Sequence, residues 1–158
     1  MELGKEKINT MKTKFIKAAI PTLVVIVISC SACNAQKMNA AKVPATVKES
    51  FTKSFSDATG VKWELENKNY EANFKQDGKA MSAVIDSKGT LLETETDIKI
   101  SELPAGVADY IAQHYKGAKI KEAAMIKKAD GEMNYEAEVN HKDVLFNSKG
   151  EFIKEVKD

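Results

Sequence analysis

The strongest constraint on this chain is a pattern that occurs twice. Leu103, Val107, Ile111 and Tyr115 recur every four positions, with Pro104 after the first of them; Val43, Val47, Phe51 and Phe55 do the same, with Pro44 after the first. This spacing lays one apolar stripe along an amphipathic helix. Each stripe is followed by a matching turn sequence, Asp86-Ser87-Lys88-Gly89 in the first case and Asn147-Ser148-Lys149-Gly150 in the second. Tyr70-Glu71-Ala72 and Tyr135-Glu136-Ala137 correspond as well. A chain written this way reads as two copies of one helix-plus-sheet unit. One helix on one small sheet buries little, whereas two copies side by side extend the sheet and cover each other's edge strand.

Taken in order, the first helix is predicted from about Pro44 to Asp57, with proline tolerated in its first turn. Gly60 is expected to stop it in a left-handed conformation. Val61, Trp63 and Leu65 then alternate with Lys62, Glu64 and Glu66, the period of a half-buried strand. Tyr70, Ala72 and Phe74 alternate in the same way, and Asp77-Gly78 is a two-residue hairpin signal. That turn would place Phe74 opposite Met81, Ala72 opposite Ala83 and Tyr70 opposite Ile85, all on one apolar face. A fourth strand runs from Thr90 to about Thr96. The second copy has its helix from about Leu103 to Tyr115, with Gly117 near its end. Ile120, Ala124 and Ile126 are predicted to share one face. Asp130-Gly131 then turns the chain so that Ile126 meets Tyr135 and Ala124 meets Ala137.

The expected fold class is therefore α+β. Two tandem units, each a helix plus four antiparallel strands, form one extended sheet covered on one face by two helices. The expected division is an export segment over 1–35, a polar tether over 36–42, and repeats over 43–97 and 98–158.

The export segment rests on a distinct order. Lys12, Lys14 and Lys17 precede a largely apolar run from Ala18 to Ile28, and small residues follow. The run is shorter than the roughly 20 residues a membrane-spanning helix needs. Met11 competes with Met1 as the true start. Val27-Ile28-Ser29-Cys30 resembles a bacterial lipobox, with Cys33 a second, weaker lipidation candidate. The alternative is cleavage after Ala35, releasing a soluble chain that begins at Gln36. Either way both cysteines lie in this segment, so the folded part holds no disulfide.

Composition narrows the partners. With 43% hydrophobic and 30% charged residues the chain has a globular make-up. Its net charge is +1, and every basic residue is Lys. Nucleic-acid surfaces favour a basic face and the bidentate fork of Arg, so nucleic acid is not an expected partner.

Paired units opening with Val43-Pro44 and Leu103-Pro104, each ending in Asp/Asn-Ser-Lys-Gly, resemble the PepSY-like proteins of the bacterial envelope. These are also described as β-lactamase-inhibitor-like. The resemblance spans 43–158 and implies a fold of two such repeats. By analogy it also raises inhibition or binding of hydrolases. The matching positions are core and turn residues, so no functional residue carries over.

No catalytic residue stands out. His114 falls on a helix flank one turn after Tyr110, where it reads as a residue of the core margin, and His141 falls near a strand turn, where it reads as solvent-exposed. Neither has a metal-ligand spacing, and no nucleophile or acid–base pair is in evidence. Glu93, Glu95 and Asp97 would align three carboxylates on one strand face. That raises a divalent-cation site against the plainer reading of a solvated face. No metal and no cofactor are expected. Trp63, Tyr70, Phe74 and Tyr135 fall on the apolar face, which leaves a mixed-charge face open, unlike the aromatic centre of a tight inhibitory interface.

The function expected is that of a non-enzymatic envelope binding module engaging a protein or peptide, exported to the periplasm, with contact to the membrane only through a lipid anchor. The alternative is a small-ligand or cation-binding accessory protein using the seam between repeats. Hydrolase inhibition is a third reading.

Overall fold

The computed structural model describes residues 36–157. The export segment with Cys30 and Cys33, the choice between Met1 and Met11, and cleavage after Ala35 all lie outside the described residues. Nine strands form one antiparallel sheet in strict sequence order, β1-β2-β3-β4-β5-β6-β7-β8-β9. They are β1 (Gln36–Met38), β2 (Thr59–Glu66), β3 (Asn69–Gln76), β4 (Lys79–Ile85), β5 (Leu91–Asp97), β6 (Ala123–Lys128), β7 (Met133–Glu138), β8 (Lys142–Asn147) and β9 (Phe152–Lys157). Helix α1 (Ala45–Ser54) precedes β2, and α2 (Ala105–His114) precedes β6. The α+β class and the recurring order of one helix and four strands are as the sequence predicts.

The segment read as a tether has structure of its own. Gln36–Met38 pairs with β2, Met38 opposite Trp63, so the sheet has nine strands where eight were expected. A 3₁₀ turn over Ala40–Lys42 follows, started by Asn39, whose Oδ1 accepts from the Ala41 N–H at 2.9 Å.

Both helices start after a proline and end one turn after their last core residue. Pro44 and Pro104 occupy the N-cap positions, and Phe55 and Tyr115 close the helices by donating to the carbonyls of Phe51 and Ile111, each at 2.8 Å. Gly60 has a positive φ of 67° as expected, but it serves a different purpose. It lies in β2, where the register with β3 slips between Thr59 and Lys62, so it forms a β-bulge and does not end the helix.

The apolar stripes bury as predicted. Val43, Val47, Phe51 and Phe55 join Trp63, Ala72, Phe74, Ala83 and Ile85 in one core. The Phe51 ring meets Trp63 and Phe74 edge-on, with centroids 5.2 and 5.0 Å away. Such pairs add about 0.5–1.5 kcal/mol beyond burial. Val107 and Ile111 pack with Ala137, Val139, Val144 and Phe146 in a second core, with Leu103, Tyr110 and Tyr115 at its margin. The two cores share a sheet face. The register row Phe74, Met81, Thr96, Met125, Tyr135, Phe146, Phe152 crosses from one to the other without changing side.

Turn chemistry sets the registers. Asp77-Gly78 has both φ values positive (53° and 75°), and the β3–β4 pairs Phe74–Met81, Ala72–Ala83 and Tyr70–Ile85 are those expected. Asn67-Lys68 and Asn140-His141 are also consecutive pairs with positive φ, the geometry of a tight primed hairpin turn.

The β6–β7 register departs from expectation by one residue. Met125 faces Tyr135 and Ala123 faces Ala137, whereas Ile126 faces Asn134 and Ala124 faces Glu136. Asp130-Gly131 is not the centre of a two-residue loop. The Gly131 N–H donates to Lys128 O, the Lys128 N–H donates to Glu132 O, and Asp130 Oδ1 accepts from the Glu132 N–H. The loop is therefore one residue longer than a two-residue turn and carries Gly131 at φ 88°. In a strand a one-residue slip moves every side chain to the other face. Ile120 accordingly packs at the margin of the second core, while Ala124 and Ile126 lie on the opposite side of the sheet.

The repeated Asx-Ser-Lys-Gly turns have a common reason for ending in glycine. Asp86 Oδ1 accepts from the N–H groups of Lys88 and Thr90, and Asn147 Oδ1 accepts from those of Lys149 and Glu151. Each glycine then has a positive φ and lies against the first turn of its helix. A Cβ at Gly89 would sit 2.9 Å from the Thr46 carbonyl oxygen, and one at Gly150 would sit 3.1 Å from the Gly106 nitrogen. Strain and contact act together, so Gly89→Ala or Gly150→Ala should each cost about 1–3 kcal/mol. Chemical denaturation checks this: the midpoint falls for both, whereas Gly131→Ala, which meets nothing within 4 Å, costs less.

Candidate functional site

The face of the sheet turned away from the two cores is where chemistry collects. Alternation along β5 puts Glu93, Glu95 and Asp97 on that side together, as the sequence predicts, and the neighbouring strands add to them. One register row reads Lys62, Asn73, Ser82, Glu95, Ile126, Asn134, Asn147 from β2 to β8. A second reads Glu64, Glu71, Val84, Glu93, Lys128, and a third reads Asp97, Ala124, Glu136, Leu145, Lys154. None of the three rows holds an aromatic residue. Trp63, Tyr70, Phe74 and Tyr135 all belong to the core side.

This face is less exposed than its charge implies. Ile126, Ala124 and Asn134 are only 4, 5 and 2% exposed. Glu71, Glu93 and Glu95 are half-buried among them, and only Asp97 of the β5 trio is exposed. Partial burial therefore corrects the picture of a fully solvated strand face. Burial pushes Glu95 up to about 7, reinforced by the negative charges of Glu93, Glu71, Asp97 and Asp143. Burial raises Glu71 too, with Glu66 adding to it. Glu93 is raised by burial against the opposing pull of Lys128 and Lys154. Near neutral pH Glu95 is poised between its charged and neutral forms.

Asn134 is the other unusual group here. Its Nδ2 donates to Glu132 Oε1 at 3.0 Å, but its Oδ1 is buried without a hydrogen-bond partner. Asn134 belongs to the mixed-charge face, and its burial there was not expected from the sequence. The signal was the Lys128–Glu132 loop, which brings Ile126 and Ala124 alongside it.

The histidines are held by structure. The His114 ring stacks on Tyr110 at 4.0 Å, and its Nδ1 lies 2.9 Å from the Tyr110 carbonyl, so that nitrogen carries the proton. His114 is exposed and lies outside the core margin assigned to it. His141 sits in the β7–β8 turn with its side chain 79% exposed, 3.9 Å from Glu138. Among the described residues no group of three His, Cys, Asp or Glu side chains is arranged to hold a metal ion. Also among the described residues, no helix is long and apolar enough to cross a membrane.

Two shallow grooves flank the face. One, of about 610 Å³, opens at the end of the β5–β6 seam between Asp97–Ser101 and Lys121–Ala123. The other, of about 600 Å³, lies beside β1 and is lined by Lys37, Met38, Val61 and Trp63 among others.

Comparison with known proteins places this architecture. The family described as "Putative beta-lactamase-inhibitor-like, PepSY-like" matches twice, over residues 29–93 and again over 85–154. The chain belongs to this PepSY-like family. Its double match follows the recurrence of helix and strands, and its description names no catalytic activity. Among solved structures, a "putative periplasmic" protein of Bacteroides eggerthii DSM 20697 aligns with a TM-score of 0.65 at 19% identity, covering 72% of this chain and 87% of its own. A DUF2874 family protein of Bacteroides uniformis ATCC 8492 gives 0.63 at 23% identity, with 71% and 87% covered. A BLIP-like protein of Bacteroides fragilis NCTC 9343 gives 0.56 at 22% identity, with 71% and 84% covered. At these identities the likeness is one of fold. No curated protein matches the chain.

Proposed function

We propose that this PepSY-like chain is a non-enzymatic binding module of the cell envelope whose partner is a protein or peptide. It is exported to the periplasm, either held at a membrane through a lipid on Cys30 or Cys33 or released after Ala35. In this reading repeats 43–97 and 98–158 act as one body, with both helices over one sheet face and the acidic face free for contact. The observation that carries the proposal is that acidic face: half-buried carboxylates spread over β3 and β5, away from both cores. Site-specific photocrosslinking tests it. A crosslinker at Ser82, within the acidic rows, should capture a partner in intact envelopes. One at Lys53, on the exposed side of α1, should not, and equal capture from both positions would count against the acidic face.

A second reading has its own observation in the groove at the end of the β5–β6 seam. Its lining mixes Asp97, Lys99, Lys121 and Glu122 with Ile98 and Ile100, the make-up of a site for a small polar ligand. Stabilisation by a small molecule in a thermal-shift screen, lost in Lys121→Ala, supports that reading over the first. Calcium belongs to the same test: a calorimetric titration without heat removes it.

Inhibition of a β-lactamase is the reading the acidic face supports least. Tight interfaces centre on aromatic residues and are depleted of Lys and Glu, whereas this face holds Glu, Asp and Lys and none of the sheet's aromatics. The purified domain should leave β-lactamases uninhibited at nanomolar concentration. A nanomolar inhibition constant in a standard hydrolysis assay would overturn that.

A further inference from the structure

The acidic face carries two independent kinds of unmet demand. Its carboxylates are crowded and half-buried, and it contains a buried acceptor, Asn134 Oδ1, that lacks a donor. Asn134 and Glu95 share one register row with Ile126 between them. A carboxylate, an apolar side chain and an amide oxygen in that order ask for one chemistry: an aliphatic stem that ends in a cationic hydrogen-bond donor. A lysine ammonium has that form, and its stem packs on apolar surface while its head seeks charge.

We propose that this row is the recognition site for a basic peptide segment, whose lysine displaces the side chains that cover Ile126 and Asn134, lies over Ile126 and shares its ammonium between the Glu95 carboxylate and Asn134 Oδ1. The proposal rests on the peptide-partner reading above and names the partner's chemistry. An ammonium supplies the donor that Asn134 lacks. Its positive charge also relieves the repulsion of Glu95 with Glu93 and Asp97 on its own strand. Across the sheet Glu71 and Asp143 favour the cation, while Lys128 and Lys154 oppose it. Lys128 pairs with Glu93 and Lys154 also acts on Glu93, whereas the lysine in the Glu95 row, Lys62, stands three strands away on β2, so the Glu95 side is the more favourable for a cation. Binding there requires Glu95 to be ionised, so affinity should rise with pH through neutrality.

The test uses the exported chain and two acetylated, amidated hexapeptides, one alternating lysine with alanine and one alternating norleucine with alanine. At 150 mM salt the lysine peptide should bind about tenfold more tightly at pH 8 than at pH 5.5, and the norleucine peptide should not bind. Glu95→Gln should lose about tenfold and flatten the pH dependence. Asn134→Ser, whose side chain ends short of the site, should weaken binding severalfold without flattening it. Glu49→Gln on α1 is the control and should bind as the parent does. Thermal melts establish that each variant is folded, and Glu95→Gln keeps the size and shape of the side chain it replaces. Equal affinity in Glu95→Gln, or a pH-independent affinity, overturns the site while leaving a peptide partner elsewhere on the chain. Failure of the lysine peptide to bind at either pH also overturns it. In that event the photocrosslinking at Ser82 and Lys53 decides the wider reading on its own.

Discussion

Ile111→Asp should unfold both halves of the chain together. Ile111 is 3% exposed in the second core, packed with Val107, Ala137, Val144 and Phe146. A carboxylate there has no partner in the core and loses its water, at a cost of about 4 kcal/mol or more. Small domains are stable by roughly 5–15 kcal/mol in total, so the loss is a large share. The two cores are separate clusters, yet β5 and β6 are hydrogen-bonded neighbours in one sheet. Losing β6 would leave β5 as a raw edge and expose the first core's flank. Trp63, the one tryptophan, lies in the first core at 6% exposure and reports on it independently. Its fluorescence should shift to the red in step with the loss of far-ultraviolet dichroism. A buried Trp63 signal in an otherwise half-melted protein would show that the repeats fold independently. Ile111→Val, which removes one methylene, should cost only about 0.5–1.5 kcal/mol.

The second large effect concerns Glu95 and depends on pH. Its folded-state value, about 7, lies above the ordinary carboxylate value of 4.5. The folded state therefore holds the proton more tightly than the unfolded chain. Stability from this group is fully present below about pH 4.5 and is lost as pH rises through 7. Glu71 and Glu93 are shifted in the same direction, so all three carboxylates act together. Glu95→Gln should thus match the parent near pH 4 and exceed it by about 1–3 kcal/mol at pH 8. Urea midpoints at the two pH values read the difference. A variant less stable than the parent at pH 8 would mean that Glu95 is satisfied by a favourable partner.

The same dipeptide shows why part of this protein was legible from sequence and part was not. Asp77-Gly78 sits between strands whose apolar residues align only if those two residues form the whole loop, so the β3–β4 register could be read directly. Asp130-Gly131 looks identical, but the loop closes from Lys128 to Glu132 and shifts the register by one. The alternation of Ala124 and Ile126 then serves the acidic face. Signs of the longer loop lay in its likeness to Asp86–Thr90, where an Asx side chain also caps the backbone two residues on. The helices were legible because their stripes face a core whatever the sheet does. Strand β1 was not: Gln36-Lys37-Met38 has no period to read, and its pairing depends on β2 being present. The burial of Glu95 was out of reach as well, because it arises from neighbours on strands far apart in sequence.

Duplication fits the site to the fold. Glu71 comes from the first repeat, Asn134 and Asp143 from the second, and Glu95 stands on the last strand before the seam. A single unit would hold only part of this face. The repeats therefore contribute more than mutual protection of their edges, since joining them brings the carboxylates and the amide onto one continuous surface.

The most direct test of that surface is a carbon-detected NMR titration of the Glu95 side-chain carboxyl. In the free protein its transition should fall near pH 7, and adding the lysine hexapeptide should move it toward the ordinary carboxylate range. A transition near 4.5 that the peptide leaves unmoved would contradict the account.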